Sequence, residues 1–239
     1  SFSYGDKISF PFLQMDEIQT KIYSGSVSYK ENKLYFNYTD HLMNNTLRQS
    51  TMFMESDAKN LTVGLTGKFY ELTFRNWQAD NFMKMMSNSI SNNQMPNVNQ
   101  FSGVVTHSFD VMPIKLSIKG GAQYFVIGDE ERISFYNLLY TDVNKNSFFV
   151  TAALNAHSIA EISNDFISTI SAEVATEAPE TEQLYIAIER MGTNPNWSGN
   201  PNLKQPIKLS LRTSFIYKFF NIEGFANHVS NYVNVVKKP

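Results

Sequence analysis

The stretch Pro206–Phe220, PIKLSLRTSFIYKFF, decides how this chain is read. Ile207, Leu209 and Leu211 alternate with Lys208, Ser210 and Arg212, the period of a half-buried strand. Phe215, Ile216, Tyr217, Phe219 and Phe220 then make both faces apolar, as where a strand enters the middle of a sandwich. At about 3.3 Å per residue the stretch would span about 50 Å, so a bend or bulge is expected within it.

Upstream, Leu184–Ile188 reads as a strand, and the polar run 193–205 (TNPNWSGNPNLKQ) reads as an exposed loop feeding the long strand. Downstream, Glu223–Pro239 is too mixed to assign and is taken as an extended tail. In the first half, Ile8, Phe10 and Phe12 repeat at period two. Val27–Tyr38 reads as a hairpin turning at Lys30–Lys33. Thr39–Ser50 reads as a polar loop. Thr51–Glu55, Leu61–Leu65 and Phe69–Phe74 are further strands. Asp80, followed by Phe82, Met83, Met85, Met86 and Ile90, has the spacing of a helix with one broad apolar face. In the second half, 103–111, 114–118, 122–127, 133–140 and 147–154 read as strands punctuated by Gly120-Gly121 and Gly128-Asp129. Ser158–Glu161 matches a capping box, so Ile159–Val174 reads as a helix, with a strand pair as the alternative. Roughly ten short strands with one or two helices in the connections predict a single domain, 1–239. The expected fold is all-β, an antiparallel two-sheet sandwich of jelly-roll type.

Composition narrows the chemistry. The chain has 239 residues, a net charge of −2, 19 Phe, 12 Tyr and no cysteine. Disulfides and thiolate metal sites are therefore excluded, and a reducing compartment is favoured. No apolar run reaches the roughly 20 residues of a membrane-spanning helix, and SFSYGDKISF has no signal-peptide core. No membrane partner is expected on that ground. Four glycosylation sequons, at Asn37, Asn44, Asn60 and Asn196, are about what this Asn-, Ser- and Thr-rich composition yields by chance.

No catalytic pattern stands out. His41, His107, His157 and His228 are scattered, and His107 and Asp110 on one strand would project to opposite faces. There is no Gly-x-Ser-x-Gly elbow. The acidic runs Asp129–Glu131 and Glu177–Glu182 fall in turns by composition, where charge is solvated, although paired carboxylates there would be the place to look for glycosidase chemistry. No catalytic residue, cofactor or metal is expected. Trp197 in its loop, Tyr23 or Tyr35 would be the platform of a carbohydrate- or receptor-binding module.

The string SLRTSFIYKFF at Ser210–Phe220 resembles the last strand of the jelly-roll coat proteins of small non-enveloped viruses, where a basic or polar residue precedes an aromatic alternation ending in a Phe pair. Leu184–Glu189 (LYIAIE), the long loop and this strand are similar to their closing hairpin. The resemblance implies a capsid or vertex subunit of a virion, not an enzyme, whose partners are identical copies in a symmetric shell and other coat subunits. The chain departs from that family in having no basic arm, so direct nucleic-acid binding is not expected. Contacts between copies are expected at Trp197, Asn200 and Leu203 in the loop and at Phe82, Met85 and Met86 on the helix. The competing expectation is the glycan- or receptor-binding sandwich.

Overall fold

The computed structural model describes residues 2–6, 17–45, 52–85, 88–111, 113–163, 165–188 and 197–231. Its strands are β1 (Phe2–Asp6), β2 (Glu17–Tyr29), β3 (Asn32–Asn44), β4 (Met52–Thr66), β5 (Tyr70–Met85), β6 (Asn88–Val111), β7 (Ile114–Ile127), β8 (Asn146–Ser163), β9 (Phe166–Thr176), β10 (Ala187–Ile188), β11 (Trp197–Ser198), β12 (Ile207–Tyr217) and β13 (Phe220–Ser230). Helix α1 (Glu130–Leu139) lies between β7 and β8, and α2 (Thr181–Tyr185) between β9 and β10.

The chain is mainly β and antiparallel, as expected, and its two helices lie at neither of the positions read as helical. The two facing layers of a jelly roll are not shown. Eleven strands form one sheet in the order β1-β2-β3-β4-β5-β6-β7-β8-β9-β12-β13, and among the described residues the only other sheet is the two-stranded β10–β11. A jelly roll needs connections that carry the chain from one layer to the other. Here each strand turns back on its predecessor, and short closures of that kind carry the smallest loop entropy.

Because consecutive strands are antiparallel neighbours, their connections alternate between two ends of the sheet. At one end, the near end, they are short: 30–31, 67–69, 112–113, 164–165 and 218–219. At the other, the far end, they are mostly long: 7–16, 45–51, 128–145 and 177–206, with 86–87 the short exception. Lys30 and Lys218 open their two-residue turns at φ 53° and 52°. Primed hairpin turns need a positive φ at that position to match the strand twist.

Several segments differ from expectation: Ile133–Tyr140, read as a strand, lies in α1 with Tyr140 as its C-cap, and Leu184–Ile188, read as a strand, is split between the end of α2 and β10. Asp80–Ile90 is not a helix: it belongs to the ends of β5 and β6, where Met83 stands opposite Met54 and Phe82 opposite Glu55. Long-range pairing overrides the local spacing, which suits either period. The register of β5 on β6 slips between Trp77 and Ala79 and again before Asn81, and Pro96, which cannot donate to a ladder, sits at the first slip. Ile159–Val174 takes the strand-pair alternative, as the end of β8 and most of β9. The long strand of 206–220 ends at Tyr217 and turns into β13, so part of the unassigned tail is a strand pairing Phe220–Ser230 with Tyr217–Ile207. Thr39–Asn44 likewise continues β3, and 52–66 is one strand rather than two.

Adjacent glycines on β7 test the tightness of this sheet. A Cβ on Gly121 would collide with the Gly103 carbonyl oxygen, whereas one on Gly120 meets nothing within 4 Å. Gly121→Ala should lower stability by about 1–3 kcal/mol. Gly120→Ala should be neutral or raise it by up to about 1 kcal/mol through the unfolded chain. Denaturant midpoints of the two variants measure the difference.

Candidate functional site

The register gives each face of the sheet a chemical identity. Residues directly opposite in an antiparallel ladder share a face. One such row runs Val27, Leu34, Leu65, Leu72, Gly103, Ala122, Val150 from β2 to β8, and its neighbour runs Gly25, Phe36, Val63, Phe74, Phe101, Tyr124, Phe148. On β7 to β13 the same face carries Ile118, Leu154, Val174 and Leu209 in one row, and Leu116, Ala156, Ala172, Leu211 and Ala226 in the next. This is the apolar face. The opposite face carries Ser26, Tyr35, Gly64, Thr73, Ser102, Gln123 and Phe149, and farther along Ser117, Asn155, Glu173, Ser210 and Asn227.

Among the described residues nothing covers the apolar face. Phe148 is 63 % exposed and its neighbour Phe149, on the polar face, 8 %; Tyr124 is 37 % exposed and Phe125 0 %. The chain presents 15909 Å² of accessible surface. A compact monomer of its 27.3 kDa exposes about 11,000 Å². Aromatic rings border the apolar band at both ends. Toward the far end stand Phe36, Phe74, Phe101 and Tyr124, with Phe74 and Phe101 5.0 Å apart and Tyr23 6.2 Å from Tyr38. Toward the near end stand Tyr29, Tyr70, Phe109 and the packed set Phe166, Phe215 and Tyr217. Beyond the far-end rings the same face turns polar. Asn76 donates to Asn99 at 2.9 Å, and Lys21 pairs with Asp40 at 3.7 Å. Between the borders lies a shallow apolar depression of about 510 Å³, lined by Leu34, Leu72 and Phe101 among others.

The buried core is small and lies on the other face, at the far end. Val98, Phe125, Ile127 and Phe149 on the sheet pack under Tyr136 of α1, Val143, and Leu184 and Tyr185 of α2. Asp129 caps α1 by accepting from the Arg132 amide at 3.2 Å, so Asp129, Glu130 and Glu131 open a helix instead of a turn, where carboxylates suit the positive dipole end. The Tyr136 hydroxyl donates to the Tyr185 carbonyl, and the Tyr185 hydroxyl donates to Ser147 Oγ at 2.9 Å. These bonds clamp α1, α2 and β8 together. Burial pushes the Tyr136 phenol well above its usual range and that of Tyr185 to about 12.

The residues expected at contacts between copies are scattered. Asn200 and Leu203 belong to this cap: the Asn200 amide donates to the Gln183 carbonyl at 2.8 Å, and Leu203 packs on the core. Trp197 is in β11, opposite Ile188 and 46 % exposed. Phe82 is on β5, its ring 5.5 Å from that of Phe53. Met85 ends β5, and Met86 lies outside the described residues. Tyr23 is on the apolar face and Tyr35 on the polar one. His107 faces the apolar side with its ring 4.3 Å from Phe109, and Asp110 stands on the polar side opposite Lys115. Among the described residues no three of His, Asp and Glu gather as a metal set. Sequence reasoning missed the two-faced wall, whose signal was present in strand after strand as alternation. The chain matches no protein-family model and no curated protein.

Tyr136→Phe leaves the buried Tyr185 carbonyl unpaired and should cost about 1–3 kcal/mol. Because both phenols titrate later folded than unfolded, the unfolded chain loses its protons first as pH rises. Their contribution to stability should hold below about pH 10 and decline between about pH 10 and 12. Unfolding free energies measured against pH for the wild type and a Tyr136→Phe/Tyr185→Phe double variant should show this alkaline decline reduced in the variant.

Proposed function

We propose that this chain is a stretch of membrane-embedded β-wall, its apolar face against lipid acyl chains and its polar face toward water. The observation that carries the reading is the uncovered apolar band bordered by aromatic rings at both ends, on strands whose opposite face is polar. On β6 and β7 the band runs over Phe101–Val111 and Ile114–Tyr124. Each is about 34 Å along the strand, or about 24 Å of membrane thickness at a 45° tilt, close to the apolar belt of a spanning β-barrel. Short turns at one end and long connections at the other are the asymmetry of such barrels. No described helix is long and apolar enough to cross a membrane, which bears on helical spans alone. In hydrocarbon every backbone group must be paired, and a meander of nearest-neighbour ladders pairs all but its two edges.

A second reading keeps the self-assembling coat subunit expected from the sequence. It would lay a second copy against the same face, with side chains of one copy filling the depression around Leu34, Leu72 and Phe101 of the other. Two such sheets would together supply the missing layer of a sandwich.

The absence of cysteine makes the choice measurable. Single cysteines at positions 101 to 106 of β6, each carrying an environment-sensitive fluorophore, are read in vesicles of phosphatidylcholine with brominated acyl chains. Quenching at Phe101, Gly103 and Val105, with little at Ser102, Val104 and Thr106, is the expected result. Quenching without a period of two overturns the membrane wall. A detergent-free dimer or larger closed assembly with the odd positions protected supports the coat-subunit reading in its place.

A further inference from the structure

A second cavity, of about 430 Å³, opens on the polar face. Its floor is Arg75, Gln100 and Gln123 on β5, β6 and β7, and its roof is the segment 178–182 that leads into α2. Nothing in the alternation of the strands requires a cavity here; it exists because α2 is held above the sheet by the core farther along.

The floor is fixed in place. The Arg75 guanidinium lies over the Trp77 ring, 4.5 Å from its centroid, and its Nε donates to Asn60 Oδ1 at 3.1 Å. Those two contacts occupy one face and one edge of the fork and leave its terminal nitrogens to other partners. The Gln100 side-chain amide donates to Gln123 Oε1 at 2.9 Å, and the Thr181 hydroxyl donates to Gln100 Oε1 from the roof at 3.4 Å. The roof brings Glu180 and Glu182 to the same cavity. Neither makes an ion pair with Arg75. A guanidinium and carboxylates therefore line one small aqueous space without neutralising each other, separated by neutral amides.

We propose that this cavity binds a small zwitterion of the amino-acid or short-peptide type. Its carboxylate would sit on the Arg75 fork, which matches a carboxylate bidentately, and its ammonium group at Glu182. The amides of Gln100 and Gln123 lie between and suit a peptide group, which needs both a donor and an acceptor. The charge arrangement argues against a simple anion or cation, since either would meet a like charge on the opposite wall. The site needs only the polar face and α2, so it stands or falls independently of what covers the apolar face.

Calorimetric titration of the full chain tests it, with glycylglycine as probe beside N-acetyl-glycylglycine, glycylglycine amide and maltose. Glycylglycine should bind, and each capped form, lacking one charge, should bind at least tenfold more weakly. Glu182→Gln should weaken glycylglycine at least tenfold and leave the N-acetyl form unchanged, because that form has no ammonium to lose. Arg75→Lys, which keeps the charge and loses the fork, should weaken the parent and the N-acetyl form alike. The Glu182 side chain makes none of the bonds that hold the cap, and its carbonyl, which accepts from the Ile186 amide, is kept in Glu182→Gln, so the variant should melt with the wild type and report on binding alone. The proposal is overturned if the capped forms bind as well as the parent, if maltose binds as tightly, or if glycylglycine gives no heat.

Discussion

Backbone pairing between successive strands is the constraint on which this molecule rests. Ten ladders, each joining a strand to its sheet neighbour, satisfy the main chain of eleven strands in one layer. A single layer has two faces and no interior. Whatever side chains the alternation sends to either face must therefore find their surroundings outside the sheet. On the polar side, among the described residues, they find α1 and α2 at one end. On the other they find no part of the described protein, which is why Val27 and Phe148 stand open while Phe125 is sealed.

The two sides differ in what holds them. The cap is a conventional core in miniature: apolar side chains of β5 to β8 closed over by Tyr136, Leu184 and Tyr185, with both phenol oxygens hydrogen-bonded. Its stability is internal. The apolar face lends stability only in proportion to what it is pressed against, since apolar area contributes by leaving water. The fold is thus well determined at the far end and dependent on its environment over most of the wall.

Much of this was legible in the residues. The alternation of Ile207–Arg212 marks β12, and Val27–Tyr38 marks the first hairpin, whose turn at Lys30-Glu31 falls within the run expected. What alternation cannot reveal is the identity of the cover. A period of two says that one side is apolar, and a second sheet, a bilayer or another copy would each produce the same string. The two-sheet expectation supplied a cover that the strand order does not contain. The Met-rich run 80–90 misled for a different reason: Phe82, Met83 and Met85 fit a helical face as well as a strand, and the deciding partners, Met54 and Met52, lie far away in sequence. β13 was hidden because Gly224 and Ala226 dilute its apolar side while Phe225 and Val229 interrupt its polar one. The cavity at Arg75 draws its parts from β5, β6, β7 and α2, and no local window contains them.

The direction of the outermost strands carries one more consequence. Counting from β2, which runs toward the end with the short turns, every second strand reverses, so β1 and β13 both run away from it. Two strands pointing the same way cannot be joined by an antiparallel seam. An unbroken cylinder made only of antiparallel ladders has an even number of staves, and the eleven described here are odd. Closing such a cylinder calls for a stave of the opposite sense between β13 and β1. Over Tyr23–Tyr29, beyond the described pairing of β1 with β2, the newcomer would also have to shield the outer edge of β2. Strand polarity alone thus fixes the sense that any strand joining β13 to β1 would have.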